Sequence, residues 1–298
     1  MSYAFRPDDR SVQAGFRRIA RAELGDALKR LGGALPDAEA VHGLRKHTKK
    51  LRGLIRLVRP VFPDFDTVNA TLRDGARRLA PLRDAEVRLA TLRGLAADLP
   101  GGLPEGVEDR LAAEVEALRA GADLPAELAR LAADLATLRH AARSWRLQGR
   151  GWGALAPGLG TTWRRARRGL RQAQDALGRD AAPFHAWRTA VKHHWYQARL
   201  LTPLWPALMD PWIAQVDALG EGLGRHNDLD VLRAHLAALD DPALARLATE
   251  GPLAEALEVR MRAEGEAALV LGARLLADRP QALVRRWGVW WHLWAGQA

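Results

Sequence analysis

Residues 41–63 read VHGLRKHTKKLRGLIRLVRPVFP, and residues 184–206 read FHAWRTAVKHHWYQARLLTPLWP. The two stretches align at a constant offset of 143 without a gap. Each opens on an apolar residue and a histidine, His42 or His185. Each then carries Arg45 or Arg188, Lys49 or Lys192, and Arg56 or Arg199 at matching positions, and closes on proline, any residue, an aromatic and proline. Upstream, Phe16-Arg17-Arg18 and Arg21 mirror Trp163-Arg164-Arg165 and Arg168. Downstream, Leu82-Arg83-Asp84-Ala85-Glu86-Val87 mirrors His226-Asn227-Asp228-Leu229-Asp230-Val231. Landmarks recurring in one order indicate an internal duplication, with repeats at 8–148 and 156–277 and a Trp-rich extension at 278–298.

Both stretches are helical in pattern. At about 100° per residue, Arg45, Lys49, Arg52, Arg56 and Arg59 fall within about 100° of His42 on one side. Leu44, Leu51, Leu54, Ile55 and Val58 gather broadly on the opposite side. This is an amphipathic helix whose polar face is almost purely cationic. No Asp or Glu occurs between residues 41 and 63, so no neighbouring carboxylate neutralises the stripe. Ordinary solvated faces mix signs, because like charges one turn apart repel. An unmixed stripe therefore calls for an anion, a facing acidic helix, or the stability cost of plain solvation. The second stripe is thinner: His185, Arg188, Lys192, Trp195, Arg199 and Thr202.

Outward from these stretches the helical period continues almost throughout. The spacing predicts helices over 8–31, 37–59, 66–79, 82–98, 105–120 and 125–146 in the first half. In the second half it predicts 161–178, 182–202, 210–224, 228–238, 242–250 and 252–277, with a last short one over 285–294. The glycine-rich 149–160 reads as a linker. No Asn-Gly or Asp-Gly turn joins alternating runs, so no sheet is expected, and Leu- and Ala-rich composition agrees.

The chain of 298 residues has 45 Lys and Arg against 35 Asp and Glu, a net charge of +10. That balance favours anionic partners: nucleic acid, an anionic membrane surface or polyphosphate. Only Lys29, Lys46, Lys49, Lys50 and Lys192 are lysines, and four of these five lie in the two stretches. The absence of cysteine excludes disulfides and thiolate metal sites and fits a reducing cytoplasm. The opening MSYAFRPDDR has no apolar core of a signal peptide, and no run of 18 apolar residues suggests a membrane span.

The paired motifs resemble the CHAD family, the conserved histidine α-helical domain. The match lies in His42-x-x-Arg45-x-x-x-Lys49-Lys50-Leu51-Arg52 and in His185-x-x-Arg188-x-x-x-Lys192-His193-His194-Trp195-Tyr196. It extends to Arg83-Asp84-x-Glu86-Val87 and Asn227-Asp228-Leu229-Asp230-Val231, and covers about residues 8–277. The resemblance implies an all-α fold of two four-helix bundles related by a pseudo-twofold axis. It implies a basic central cavity binding inorganic polyphosphate, and association with polyphosphate granules, with other polyphosphate-associated proteins as further partners. The binding residues it implies are His42, Arg45, Lys49, Lys50, Arg52 and Arg56, then His185, Arg188, Lys192 and Arg199. Arg17, Arg18, Arg21, Arg164, Arg165 and Arg168 extend the basic surface in the sequence pattern. Trp195 departs from the basic residue common at its position.

From the residues themselves, polyphosphate is a flexible chain with about one charge per phosphate and no bases, so spaced Arg and Lys donors suffice. No P-loop, no Glu-x-Glu-x-Lys strand pattern and no metal-ligand set is present, so no catalytic residue, metal or cofactor is expected. A polyphosphate or triphosphate hydrolase and a non-specific nucleic-acid binder are the rivals. His42 and His185 fit either ligand contact or helix packing. The Asp84/Glu86 and Asp228/Asp230 pairs fit Mg²⁺, helix capping or arginine pairing. Trp287, Trp290, Trp291 and Trp294 share one helical face, suited to packing on the bundle, a protein contact or a membrane interface. The two stripes are expected to face one another across a shared lumen.

Overall fold

The computed structural model describes residues 3–31, 37–121 and 123–296. Among them are twelve α-helices, three short 3-10 turns and no strand. The first half holds α1 (Val12–Leu31), α2 (Asp37–Leu57), α3 (Phe65–Arg78), α4 (Pro81–Leu95), α5 (Val107–Gly121) and α6 (Leu124–Ala141). The second holds α7 (Gly151–Ala176), α8 (Ala182–Leu200), α9 (Pro206–Ala237), α10 (Pro242–Arg246) and α11 (Gly251–Leu275), followed by α12 (Pro280–Ala295).

Proline and aspartate punctuate these helices. Pro81, Pro242 and Pro280 each sit in a first turn, where the missing N–H is no loss. Asp123 caps α6 by accepting from the Ala126 N–H at 3.1 Å. Asp241 caps α10 by accepting from the Ala243 and Leu244 N–H groups. The last helix thus starts at Pro280, earlier than the tryptophan pattern alone indicates.

The apolar face of α2 is deeply buried: Leu44, Leu51, Leu54, Ile55, Leu57 and Val58 are at most 1% exposed. It joins a large core shared by α1, α3 and α6 with α7, α8, the start of α9 and α12. A second core forms where α4 and α5 meet the C-terminal part of α9 and the N-terminal part of α11. Leu229, Leu232 and Leu236 of α9 face Leu253, Leu257 and Met261 of α11 there. Both halves contribute to both cores. Trp287 and Trp291 of α12 are buried in the large core, so the tryptophan face packs back onto the helices.

Two expectations are corrected. The glycine-rich 149–160 is no linker, because α7 begins at Gly151 and runs through it. A Cβ on Gly158 would collide with the Leu57 backbone carbonyl. Glycine is therefore used for helix contact between α7 and the end of α2. Gly→Ala within a helix is ordinarily stabilising by about 0.5–1 kcal/mol. Here Gly158→Ala should instead destabilise by about 1–3 kcal/mol through overpacking, measured by urea denaturation. An unchanged midpoint would mean that the contact between α7 and α2 is not tight.

The second correction concerns 210–224 and 228–238, which are one helix, α9. In the first half the matching region breaks before Pro81, which lacks an N–H and opens α4. At the offset of 144 that relates Asp84 to Asp228, the residue matching Pro81 is Arg225. Arg225 donates its backbone N–H, so the helix continues.

Candidate anion-binding seam

The cationic helices α2 and α8 touch directly. A Cβ on Gly53 would overlap the Tyr196 Cβ, so glycine is what lets the two backbones approach. Gly53 and Tyr196 are related by the repeat offset of 143. In a twofold arrangement a residue meets its own equivalent at the axis, so this contact is consistent with the duplication. Burial matches too: Leu44, Leu51, Leu54 and Leu57 of α2, and Trp187, His194, Gln197 and Leu200 of α8, are at most 1% exposed. The expected lumen is thus closed at this point by a crossing, and the cations lie to either side of it.

On one side, Lys49 stands among Arg45, Arg188 and Lys192. Burial and then these three cations lower the Lys49 ammonium pKa, against a smaller opposing effect of Glu221. This end is partly neutralised by acids of α9. The Lys192 Nζ lies 3.2 Å from Asp217 and 2.5 Å from Glu221. The hydrogen bond from Lys192 is the main cause that lowers the Glu221 carboxyl pKa. Arg45 donates to the Leu79 carbonyl at 3.4 Å and lies 3.9 Å from Asp84. The Arg188 Nε is buried without a hydrogen-bond partner.

On the other side no acid pairs with Arg52, Arg56 or Arg165; Asp66 and Asp74 pair instead with Arg59 at 3.9 Å and with Arg73 at 2.7 Å. Arg52 reaches the amide oxygen of Asn69 at 3.4 Å, and Arg56 donates to the Arg52 carbonyl at 3.3 Å. Among the described residues, none of Arg52, Arg56 and Arg165 has a carboxylate within 4.0 Å. Burial, then Arg52, Arg59 and Arg165, push the Arg56 guanidinium down to about 10. It stays charged at neutral pH, in a place where every charged neighbour named is another cation. An incoming anion would relieve that repulsion and find bidentate donors already in place.

The remaining expected residues divide. The His42 side chain lies outside the described residues. His185 is exposed, and its Nδ1 meets the Asn227 side-chain oxygen at 2.5 Å. Lys50 does not share the cationic face. Its ammonium is directed inward, 3.0 Å from both carboxylate oxygens of the fully buried Glu23, which also meets His47 at 2.7 Å. Arg18 likewise turns to Asp9 at 2.7 Å and to the Ala4 carbonyl at 2.8 Å, and Arg17 donates to the Trp145 carbonyl at 2.7 Å. Both act as ties between segments of the first half. Arg199 stacks over Trp195 at 4.7 Å and Tyr3 at 5.7 Å. Arg21, Arg164, Arg165 and Arg168 are exposed, and of these Arg165 is a charged neighbour of Arg56.

Asp84 and Glu86 pair with arginines: Asp84 with Arg45, and Glu86 with Arg83 at 3.6 Å and Arg119 at 3.4 Å. Asp84 lies within the first turn of α4, whose N-cap is Ala80. Asp230 pairs with Arg233 at 2.8 Å. His194 is a core residue: its Nε2 accepts from the Trp212 indole at 3.2 Å, and burial drives its pKa to about 3.

Sequence reading missed the acidic pair Asp217 and Glu221 beside Lys192, and Arg73 of α3, whose charge acts on Arg52 and which pairs with Asp74. The signal was present in the offset of 144. Carried back into α3, it sets Arg73 against Asp217 and Arg77 against Glu221. The two halves therefore carry opposite charges at these two matching positions, which accounts for the acids beside Lys192.

A family model described as the CHAD domain matches residues 18–237. Among solved structures, PptA from Streptomyces chartreusis is similar at 20% identity and a TM-score of 0.57, over 87% of this chain and 96% of that one. The CHAD domain from the plant Ricinus communis is similar at 20% identity and a TM-score of 0.56, over 98% of this chain and 95% of that one. At that identity the likeness is one of fold. No curated protein matches the chain.

Proposed function

The chain belongs to the CHAD domain family, and from that premise and the seam between α2 and α8 we propose that it binds inorganic polyphosphate. The observation that carries the reading is the acid-free group of Arg52, Arg56 and Arg165, drawn from two helices and left without carboxylate partners among the described residues. The cations of α2 from Arg45 to Arg56 extend about 16 Å along the helix at about 1.5 Å per residue. That length suits several consecutive phosphates of one chain, and guanidinium groups suit their oxygens. The protein acts as a binding module without catalysis of its own, and granule association follows from the affinity. No helix among the described residues is long and apolar enough to cross a membrane.

The test is the dependence of affinity on salt and on chain length. Several phosphate charges neutralised together release counterions, so log Kd should rise linearly and steeply with log salt. Long chains should bind far more tightly than orthophosphate, because weak contacts on one molecule add. Polyphosphate should also displace double-stranded DNA at much lower concentration than the reverse. Equal affinity for orthophosphate and long chains would reject an extended site, and preferential retention of DNA would make the protein a nucleic-acid binder.

A further inference from the structure

Resting on the polyphosphate reading, we propose that His193 is part of the binding site and takes up a proton when a phosphate chain occupies the end of the seam at Arg52, Arg56 and Arg165. Its position follows from the crossing. Relative to Tyr196, Lys192 and His193 lie about 40° to one side and about 60° to the other, while His194 points about 160° away. The contacts agree. Lys192 reaches Asp217 and Glu221 of α9, and His194 sits in the core against Trp163 and Trp212. His193 is left on the opposite flank of the crossing from Lys192, half-buried.

The charged groups around it come from each helix packed there. Arg52 and Arg56 act on it from α2, and Arg165 from α7. The charged residues of α9 at the crossing, Asp217 and Glu221, are engaged with Lys192. The 3-10 turn Thr202–Leu204 brings no charge. Burial first, then Arg56, Arg52 and Arg165, hold the His193 pKa well below its ordinary value. The free imidazole is therefore neutral, its proton withheld by burial first and then by three arginines.

A phosphate chain lying among those arginines reverses the local balance. It supplies about one negative charge per unit and oxygens that accept from an imidazolium. The pKa of His193 rises in the complex, so binding takes up a proton. The sign is fixed by linkage: affinity strengthens as pH falls from the bound-state pKa towards the free-state pKa. The slope in that window is at most about tenfold per pH unit. Above the bound-state pKa the imidazole contributes no charge and the dependence vanishes.

The experiment uses the full chain and long-chain polyphosphate at fixed ionic strength. Calorimetric titration at pH 6.5, in two buffers of different ionisation heat, counts protons taken up on binding. The unmodified chain should take up a measurable fraction of a proton that His193→Gln loses, while circular dichroism stays the same. Should His193→Gln not fold, the His193 ring is followed by NMR in the unmodified chain, where its pKa should rise on adding polyphosphate. Binding with the same proton uptake in the variant, or an unmoved His193 pKa, overturns this inference and leaves polyphosphate binding standing. No binding at all overturns the proposed function, and this inference with it.

Discussion

Replacing Arg52 and Arg56 together with glutamate is expected to weaken polyphosphate binding by about 10²–10⁴-fold. Each charge-assisted hydrogen bond is worth about 1.5–3 kcal/mol, and about 1.4 kcal/mol is a factor of ten in Kd. Two lost arginines therefore account for that range, before the repulsion added by two carboxylates. The matched control is Arg260→Glu with Arg262→Glu on α11, where both side chains are exposed and pair with Asp98 and Glu258. It changes net charge equally and should move affinity little. Lys192→Glu should fall between them, because Asp217 and Glu221 already neutralise that ammonium. Affinities of the three variants at one salt concentration decide the matter. Equal losses would mean that net charge alone attracts the ligand.

The contrast between Arg52 and Lys192 shows what a helical stripe does and does not reveal. The face of α2 was legible because its chemistry is local: positions one turn apart, no acid from 41 to 63, and an apolar opposite side. The structure keeps that geometry, with Leu44, Leu51, Leu54, Ile55 and Val58 buried behind it. What a single helix does not carry is the charge of its neighbour. Asp217 and Glu221 lie on α9, more than 20 residues beyond Lys192 in sequence, and only packing brings them to it. Lys50 is instructive because its angle, about 80° from His42 on the far side from the stripe, already set it apart. The family motif carried it into the expected site, and Glu23 draws it inward.

Helix identity was more legible than helix breaks. Most expected helices are present with ends shifted by a few residues, since their apolar period is long and regular. The failures both concern residues with two opposite uses. Glycine at 149–160 reads as freedom in sequence and serves as clearance in the fold, because only the facing Leu57 carbonyl shows what the missing Cβ is for. A proline-free stretch with several glycines between 219 and 225 reads as a break, yet α9 passes through it on intact N–H groups. The tryptophan face of α12 was open among three uses in sequence, and its burial against α7 and the turn Thr202–Leu204 settles the place of Trp287 and Trp291.

Removing the carboxylate of Glu23 is expected to have the largest effect on stability. Its side chain is fully buried, with the His47 Nδ1 at 2.7 Å and the Lys50 Nζ at 3.0 Å. Glu23→Ala leaves both partners in the core without a counter-charge, and breaking such a buried arrangement costs about 3–5 kcal/mol. Against a total of about 5–15 kcal/mol, that loss should be plain in urea denaturation. A change under about 1 kcal/mol would mean that water replaces the carboxylate at little cost. The pH dependence has a fixed sign. Burial is the largest influence and opposes ionisation, but the hydrogen bonds from His47 and Lys50 and their charges together bring the Glu23 pKa below its ordinary value of 4.5. A folded-state pKa below the unfolded one contributes stability above pH 4.5 that is lost as pH falls through the folded value. Glu23→Ala should therefore flatten the acid limb of the stability curve. The same variant tests the site, because it releases the Lys50 ammonium from its partner. With Lys50 directed away from the seam, polyphosphate affinity should stay unchanged despite the added net positive charge, whereas a gain well beyond that of the Arg260 and Arg262 control in the opposite direction would bring Lys50 back into the path of the ligand.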